Sequence, residues 1–138
     1  MDTDIYSPID VRNGEIRLLL LAPGGPHEQI SGVLIHTKVN DRRQKYEALS
    51  YTWGSSEFKT PITINGCPCL VNINLLAALL ELRSDGEERL LWIDAICINQ
   101  DDVVEKGVHV PLMHHVYQNA SRVIVWLGCA SDDSDQAL

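Results

Sequence analysis

Two apolar runs, at 90–98 and 122–127, flank a stretch with helical spacing, and no other feature constrains the fold as tightly. Neither run alternates polar and apolar residues, which is the pattern of a strand covered on both faces. Between them, Asp102 is followed three residues later by Glu105, as in a capping box, and Val104, Val108, Leu112 and Val116 recur at helical spacing. Strand, helix and strand in this order make a βαβ crossover and call for parallel pairing. Pro111 falls inside the helix, where it removes a backbone donor and crowds the carbonyl of Gly107, so a kink or a fresh start is expected there. From Pro111 onward, Leu112, Met113, Val116, Tyr117 and Ala120 form an inward face.

Upstream, Glu15–Leu21 and 30–39 read as two strands that pair antiparallel, and 46–53 as a third that ends at Gly54. Asn65-Gly66 between Ile62-Thr63-Ile64 and Leu70-Val71 predicts a type I′ hairpin, and Pro68 makes the returning arm an edge strand. Asn72 or Asn74 caps a helix near 74–83 that carries Leu75, Leu76, Leu79, Leu80 and Leu82, with Gly86 as its stop.

A chain of 138 residues is long enough for one core and too short for two, so 1–138 is read as a single domain. Its 11 Lys and Arg against 19 Asp and Glu leave a net charge of −8, which opposes phosphate backbones and anionic lipid. Nucleic acid and membrane are therefore excluded as expected partners. No run approaches the ~20 apolar residues of a membrane span, and a cytoplasmic location is expected. Of the four cysteines, Cys67 and Cys69 flank Pro68 too closely to bridge, while Cys97 and Cys129 end apolar runs, so free and mostly buried thiols are expected. Cys-Pro-Cys lacks zinc spacing, and His114 and His115 diverge by about 100° on a helix, so no metal site is expected. One of those histidines is expected to face solvent and the other to rest on the sheet edge.

Ligands of open parallel sheets bind beyond the carboxyl ends of the strands. Those ends carry Ser50, Tyr51, Trp53 and Gly54 on one strand, and Asp94, Asn99 and Gln100 after another. Trp53 and Gly54 suit an aromatic wall with close backbone approach, and Asp94, Asn99 and Gln100 suit hydrogen bonding to a sugar or an amide. Asp94 and Asn99 also suit a loop-organising role, turning back on backbone N–H groups, and that role is favoured. Asp102 and Glu105 are read as polar capping residues, and Trp92 and Trp126 as neighbours covering the sheet with their indole N–H groups satisfied. No phosphate loop, Ser/His/Asp set or Cys/His set is visible, so no catalytic residue is assigned and a non-enzymatic role is favoured.

Three blocks carry a family resemblance: Tyr46-Glu-Ala-Leu-Ser-Tyr-Thr-Trp-Gly54, Leu91-Trp-Ile-Asp-Ala-Ile-Cys-Ile-Asn-Gln100 and Val116-Tyr-Gln-Asn-Ala-Ser-Arg-Val-Ile-Val-Trp-Leu-Gly128. In this order they resemble the signatures of the fungal heterokaryon-incompatibility (HET) domain, best matched over 46–128. The resemblance implies a module of non-self recognition and programmed cell death that works by association with a protein partner or with itself. The strand order is also similar, remotely, to the Toll/interleukin-receptor (TIR) domain, whose first strand ends in Ser-Tyr as Ser50-Tyr51 does. That similarity implies a runner-up, an NAD or nucleotide-sugar hydrolase whose glutamate lies beyond this chain. A second alternative is an inactive or regulatory fragment. No cofactor is expected, with NAD entering only under the hydrolase reading, and the HET pattern implies a domain truncated on its C-terminal side. The expected fold is α/β of TIR or flavodoxin type: a central, mostly parallel sheet built from 46–53, 90–96 and 122–127, helices near 74–83 and 103–119, and an N-terminal β extension with a hairpin.

Overall fold

Glu15–Leu21 (β1) buries apolar side chains on both faces, and that decides its place in the sheet. The computed structural model describes residue 6 and residues 9–25, 27–41, 45–51, 59–99 and 102–126. Among these, the further strands are β2 (Ser31–Lys38), β3 (Glu47–Tyr51), β4 (Lys59–Ile64), β5 (Cys67–Asn72), β6 (Arg89–Trp92) and β7 (Arg122–Trp126). The helices are α1 (Ile73–Leu82), α2 (Asp94–Cys97) and α3 (Val103–Asn119), with a 3-10 turn at Val11–Asn13. The strands form one sheet in the order β5-β4-β2-β1-β6-β3-β7.

This order corrects the expected TIR- or flavodoxin-like fold. Half of the sheet does follow the expectation: β6, β3 and β7 lie side by side and parallel, with Ala48 opposite both Trp92 and Val123. The other half does not. β1 is antiparallel to β2 from Glu15 opposite Lys38 to Leu21 opposite Gly32, and antiparallel to β6 through Leu19 opposite Leu91. β4 and β5 are antiparallel, while β2 and β4 are parallel through Ser31 opposite Thr63. The sheet is mixed, and β1 is its middle strand instead of an appended one. Burial on both faces of β1 accords with this interior position. Gly32 makes the close β1–β2 pairing possible, since a Cβ there would lie 2.6 Å from the carbonyl oxygen of Leu20.

The run at 90–98 is also not one strand. Pairing ends at Trp92, and 94–97 coil into α2, with the N–H groups of Ile96 and Cys97 both returning to the carbonyl of Ile93. Leu91, Trp92, Ile93, Ile96, Cys97 and Ile98 are buried and Leu90, Asp94 and Ala95 partly so, and an apolar run without alternation does not distinguish strand from helix. The crossover through α3 exists, but β3 lies between β6 and β7, so Trp92 and Trp126 are not neighbours. Among the described residues β7 is an edge strand and not a doubly covered one, with Val123 47% and Val125 63% exposed. The indole Nε1 of Trp126 is buried with no hydrogen-bond partner among the described residues.

Other elements form for the reasons the sequence carries. Asn65 and Gly66 hold φ of 54° and 79°, the positive values a type I′ turn requires, and Pro68 sits on the edge strand β5. Asn72 caps α1 by accepting from the N–H of Asn74 at 2.8 Å, and Leu75, Ala78 and Leu79 of that helix are buried. α3 runs through Pro111 without interruption. At its far end, Tyr46 donates to the carbonyl of Val116 at 2.6 Å, satisfying an acceptor that the helix terminus leaves free. His114 and His115 are both exposed and meet edge to face, 5.3 Å between ring centroids, so neither rests on the sheet. Among the described residues Cys67, Cys69 and Cys97 form no disulfide, the last two are buried, and Cys129 lies outside the described residues. No helix among the described residues is long and apolar enough to cross a membrane.

Candidate functional site

The carboxyl ends of β3 and β6 do converge, and α3 closes over them. Ser50 and Tyr51 finish β3, Asp94 opens α2 directly beyond β6, and Tyr117 reaches in from α3. Tyr117 meets the fully buried Trp92 edge to face, with ring centroids 5.4 Å apart, and is hydrogen-bonded to Ser50. The negative charge of Asp94 acts on both Tyr51 and Tyr117, so the carboxylate and the two phenols lie in one neighbourhood. Burial pushes the Asp94 carboxyl above the usual aspartate range, against the pull of a hydrogen bond from the N–H of Ala95. It pushes the Tyr51 hydroxyl up to about 12, with the Asp94 charge acting in the same sense. Tyr117 is raised for the same two reasons, while its bond with Ser50 opposes the shift.

Asn99 belongs elsewhere. Its backbone N–H donates to Oε2 of Glu105 at 2.9 Å, and its carbonyl accepts from the N–H of Asp102 at 3.1 Å. Asp102 caps α3 as expected, with Oδ1 accepting from the N–H of Glu105 at 3.1 Å. Glu105, however, does not complete the capping box. It turns inward to the buried guanidinium of Arg17, which also donates to the carbonyl of Cys97 and lies 4.8 Å beneath the ring of Tyr6. Tyr6 in turn donates to the carbonyl of Ile96 at 2.7 Å. This second cluster floors a cavity of about 260 Å³ between the 3-10 turn and the start of α3. Trp53, Gly54 and Gln100 lie outside the described residues.

The site thus gathers Ser50, Tyr51 and Asp94 and separates them from Asn99, Asp102 and Glu105. Sequence reasoning passed over Arg17 and gave Tyr117 only a core role. A charge set in the apolar run Ile16 to Leu21 was the available signal for Arg17, because a buried guanidinium requires a partner. For Tyr117 the signal was its place on the inward face of α3, opposite strand ends rich in hydroxyls. Chemically, the phenols keep their protons near neutral pH, and burial holds the Cys97 thiol up at about 12, so none of them is an activated nucleophile. No cluster of three or more His, Cys, Asp or Glu among the described residues could hold a metal ion.

Among the described residues the chain is a mixed seven-stranded sheet with helices α1 to α3, and its candidate site lies at the carboxyl ends of β3 and β6. The chain belongs to the heterokaryon incompatibility (HET) family, whose family model matches residues 46–138. It is 37% identical over 136 residues to heterokaryon incompatibility protein 6, OR allele, of Neurospora crassa, a match that covers 89% of this chain. The chain spans about one fifth of that curated relative, 20% of its length. No solved structure matches the chain.

Proposed function

We propose that this domain acts in fungal heterokaryon incompatibility, relaying a cell-death response through association with a protein partner or a second copy, in the cytoplasm and without a cofactor. The observation that carries the reading is the family membership together with a relative named as a heterokaryon incompatibility protein. The chemistry of the strand ends supports association over turnover: Tyr51 and Tyr117 sit near the partly buried Asp94, and both phenols are pushed up and not activated. An acidic molecule of net charge −8 also suits a protein partner better than nucleic acid or anionic lipid. Trp53 lies two residues beyond Tyr51 in sequence and is of a residue type that dominates interface energies, which makes it the position to test.

The test is inducible expression in a fungal host, scored for growth arrest, for the parent and for Trp53→Ala. Arrest by the parent that is lost in a folded Trp53→Ala variant supports the reading. Equal arrest by both, or steady release of nicotinamide from NAD by purified protein that Asp94→Ala abolishes, overturns it.

A further inference from the structure

The two edges of the sheet are built differently. β5 carries Pro68, which removes a backbone donor from its edge. β7 has the sequence Arg122-Val123-Ile124-Val125-Trp126, with three β-branched residues in its centre, a single charge and no proline. Among the described residues nothing pairs with its outer side, and Val123 and Val125 remain exposed. An apolar β-branched edge without a blocking device is a template for another strand.

We infer that β7 is a homotypic docking edge, to which β7 of a second copy of this chain adds antiparallel with Ile124 on the two-fold axis. The edge is complementary to its own reverse. With Ile124 on the axis, Val123 of one copy faces Val125 of the other, so exposed β-branched side chains pair on one face of the joined sheet. On the other face Arg122, 65% exposed and with Nη1 3.6 Å from Oε2 of Glu47, comes opposite the half-buried Trp126 of the second copy, a cation beside an indole. The parallel alternative would set Arg122 opposite Arg122 and is disfavoured by like charge. Pairing of β7 with β5 would give a head-to-tail chain without closure, and Pro68 opposes it.

The contact is small. Five residues per copy fall short of the ~1,000 Å² of a stable interface, so the pair is weak and forms at high local concentration. Two molecules of net charge −8 also repel, and salt screens that repulsion. The inference rests on the proposed association reading for its biological use, but the pairing itself is measured without a fungal host, so the two fail separately.

Sedimentation velocity of the purified 138-residue chain across the micromolar range should show a concentration-dependent shift towards dimer, stronger at higher salt. Val125→Lys, at an exposed position, should keep the parent melting temperature and weaken the pair at least about tenfold. Under mild oxidation Ile124→Cys should form an intermolecular disulfide beyond the parent background, whereas Val123→Cys should not, because only position 124 meets its own copy within the ~7 Å Cα limit. A parent that stays monomeric, a Val125→Lys variant that associates like the parent, or equal cross-linking at 123 and 124 would each overturn the inference.

Discussion

Nη1 of Arg17 stands 2.6 Å from Oε2 of Glu105, and Nη2 3.0 Å from Oε1, a two-pronged pairing of residues 88 positions apart, both nearly sealed from water. Breaking such a pair from one side leaves an uncompensated buried charge, which costs roughly 3–5 kcal/mol. Glu105→Ala and Arg17→Ala should each lose that much in urea unfolding. The double change Arg17→Met with Glu105→Leu should recover most of the loss, because no charge then stays buried. A double variant as unstable as the sum of the single ones would show that the two residues act independently.

Trp92 is completely buried in the parallel half of the sheet, whereas Trp126 is half-buried on the edge strand. Trp92→Ala should therefore cost about 3–5 kcal/mol and Trp126→Ala clearly less. Thermal melts of the two variants give the ranking, and a larger loss at Trp126 would contradict an edge position for β7.

The hydroxyl of Tyr46 holds the carbonyl of Val116 at the end of α3. Tyr46→Phe keeps the ring and strands that acceptor, so it should cost about 1–3 kcal/mol. Amide exchange should quicken most in the last turn of α3 and little in α1.

Burial raises the Asp94 carboxyl in the folded protein, so between the ordinary aspartate value of 3.8 and the raised one the native state binds more protons than the unfolded chain. Stability contributed by this group is therefore lost as pH rises through that window, and the penalty persists at neutral pH. Asp94→Asn should raise the melting temperature at pH 7 by a few degrees or less, with the gain shrinking as pH falls towards 4. A gain that grows on acidification would reverse the sign and refute burial as the dominant influence. Tyr46 and Tyr51, both pushed up to about 12, add a further loss of stability above pH 10, where only the unfolded phenols ionise.

What the sequence made legible was local. Asn65-Gly66, the Asn72 cap, the Asp102 cap and the span of α3 follow from turn chemistry and periodicity that each segment carries within itself. The place of β1 was not legible, because Ile16 to Leu21 fits a middle strand as well as an appended one until its partners are known. The 90–98 run misled for a related reason: Asp94–Cys97 forms α2 with Ile96 and Cys97 buried, and an apolar run without alternation fits a helix segment as well as a strand. Ser50, Tyr51 and Asp94 do lie at one end of the sheet, because the ends of β3 and β6 follow from the strands themselves. Glu105 was assigned to a local cap because its partner Arg17 lies 88 residues away and sequence spacing carries no trace of that contact.

The position of β1 also sets what can fold on its own. Residues 46–138, the span that matches the family model, exclude both β1 and β2. A fragment cut at that boundary would bare the flank of β6 at Leu90 and Leu91 and leave Glu105 without its guanidinium. The same geometry delays assembly during synthesis. The β1–β2 hairpin can close as soon as residue 38 emerges, but its other neighbour in the sheet arrives only with residues 89–92. Folding must then pay for long loops before the middle of the sheet is complete, the signature of a high contact order and a slow, concerted last step.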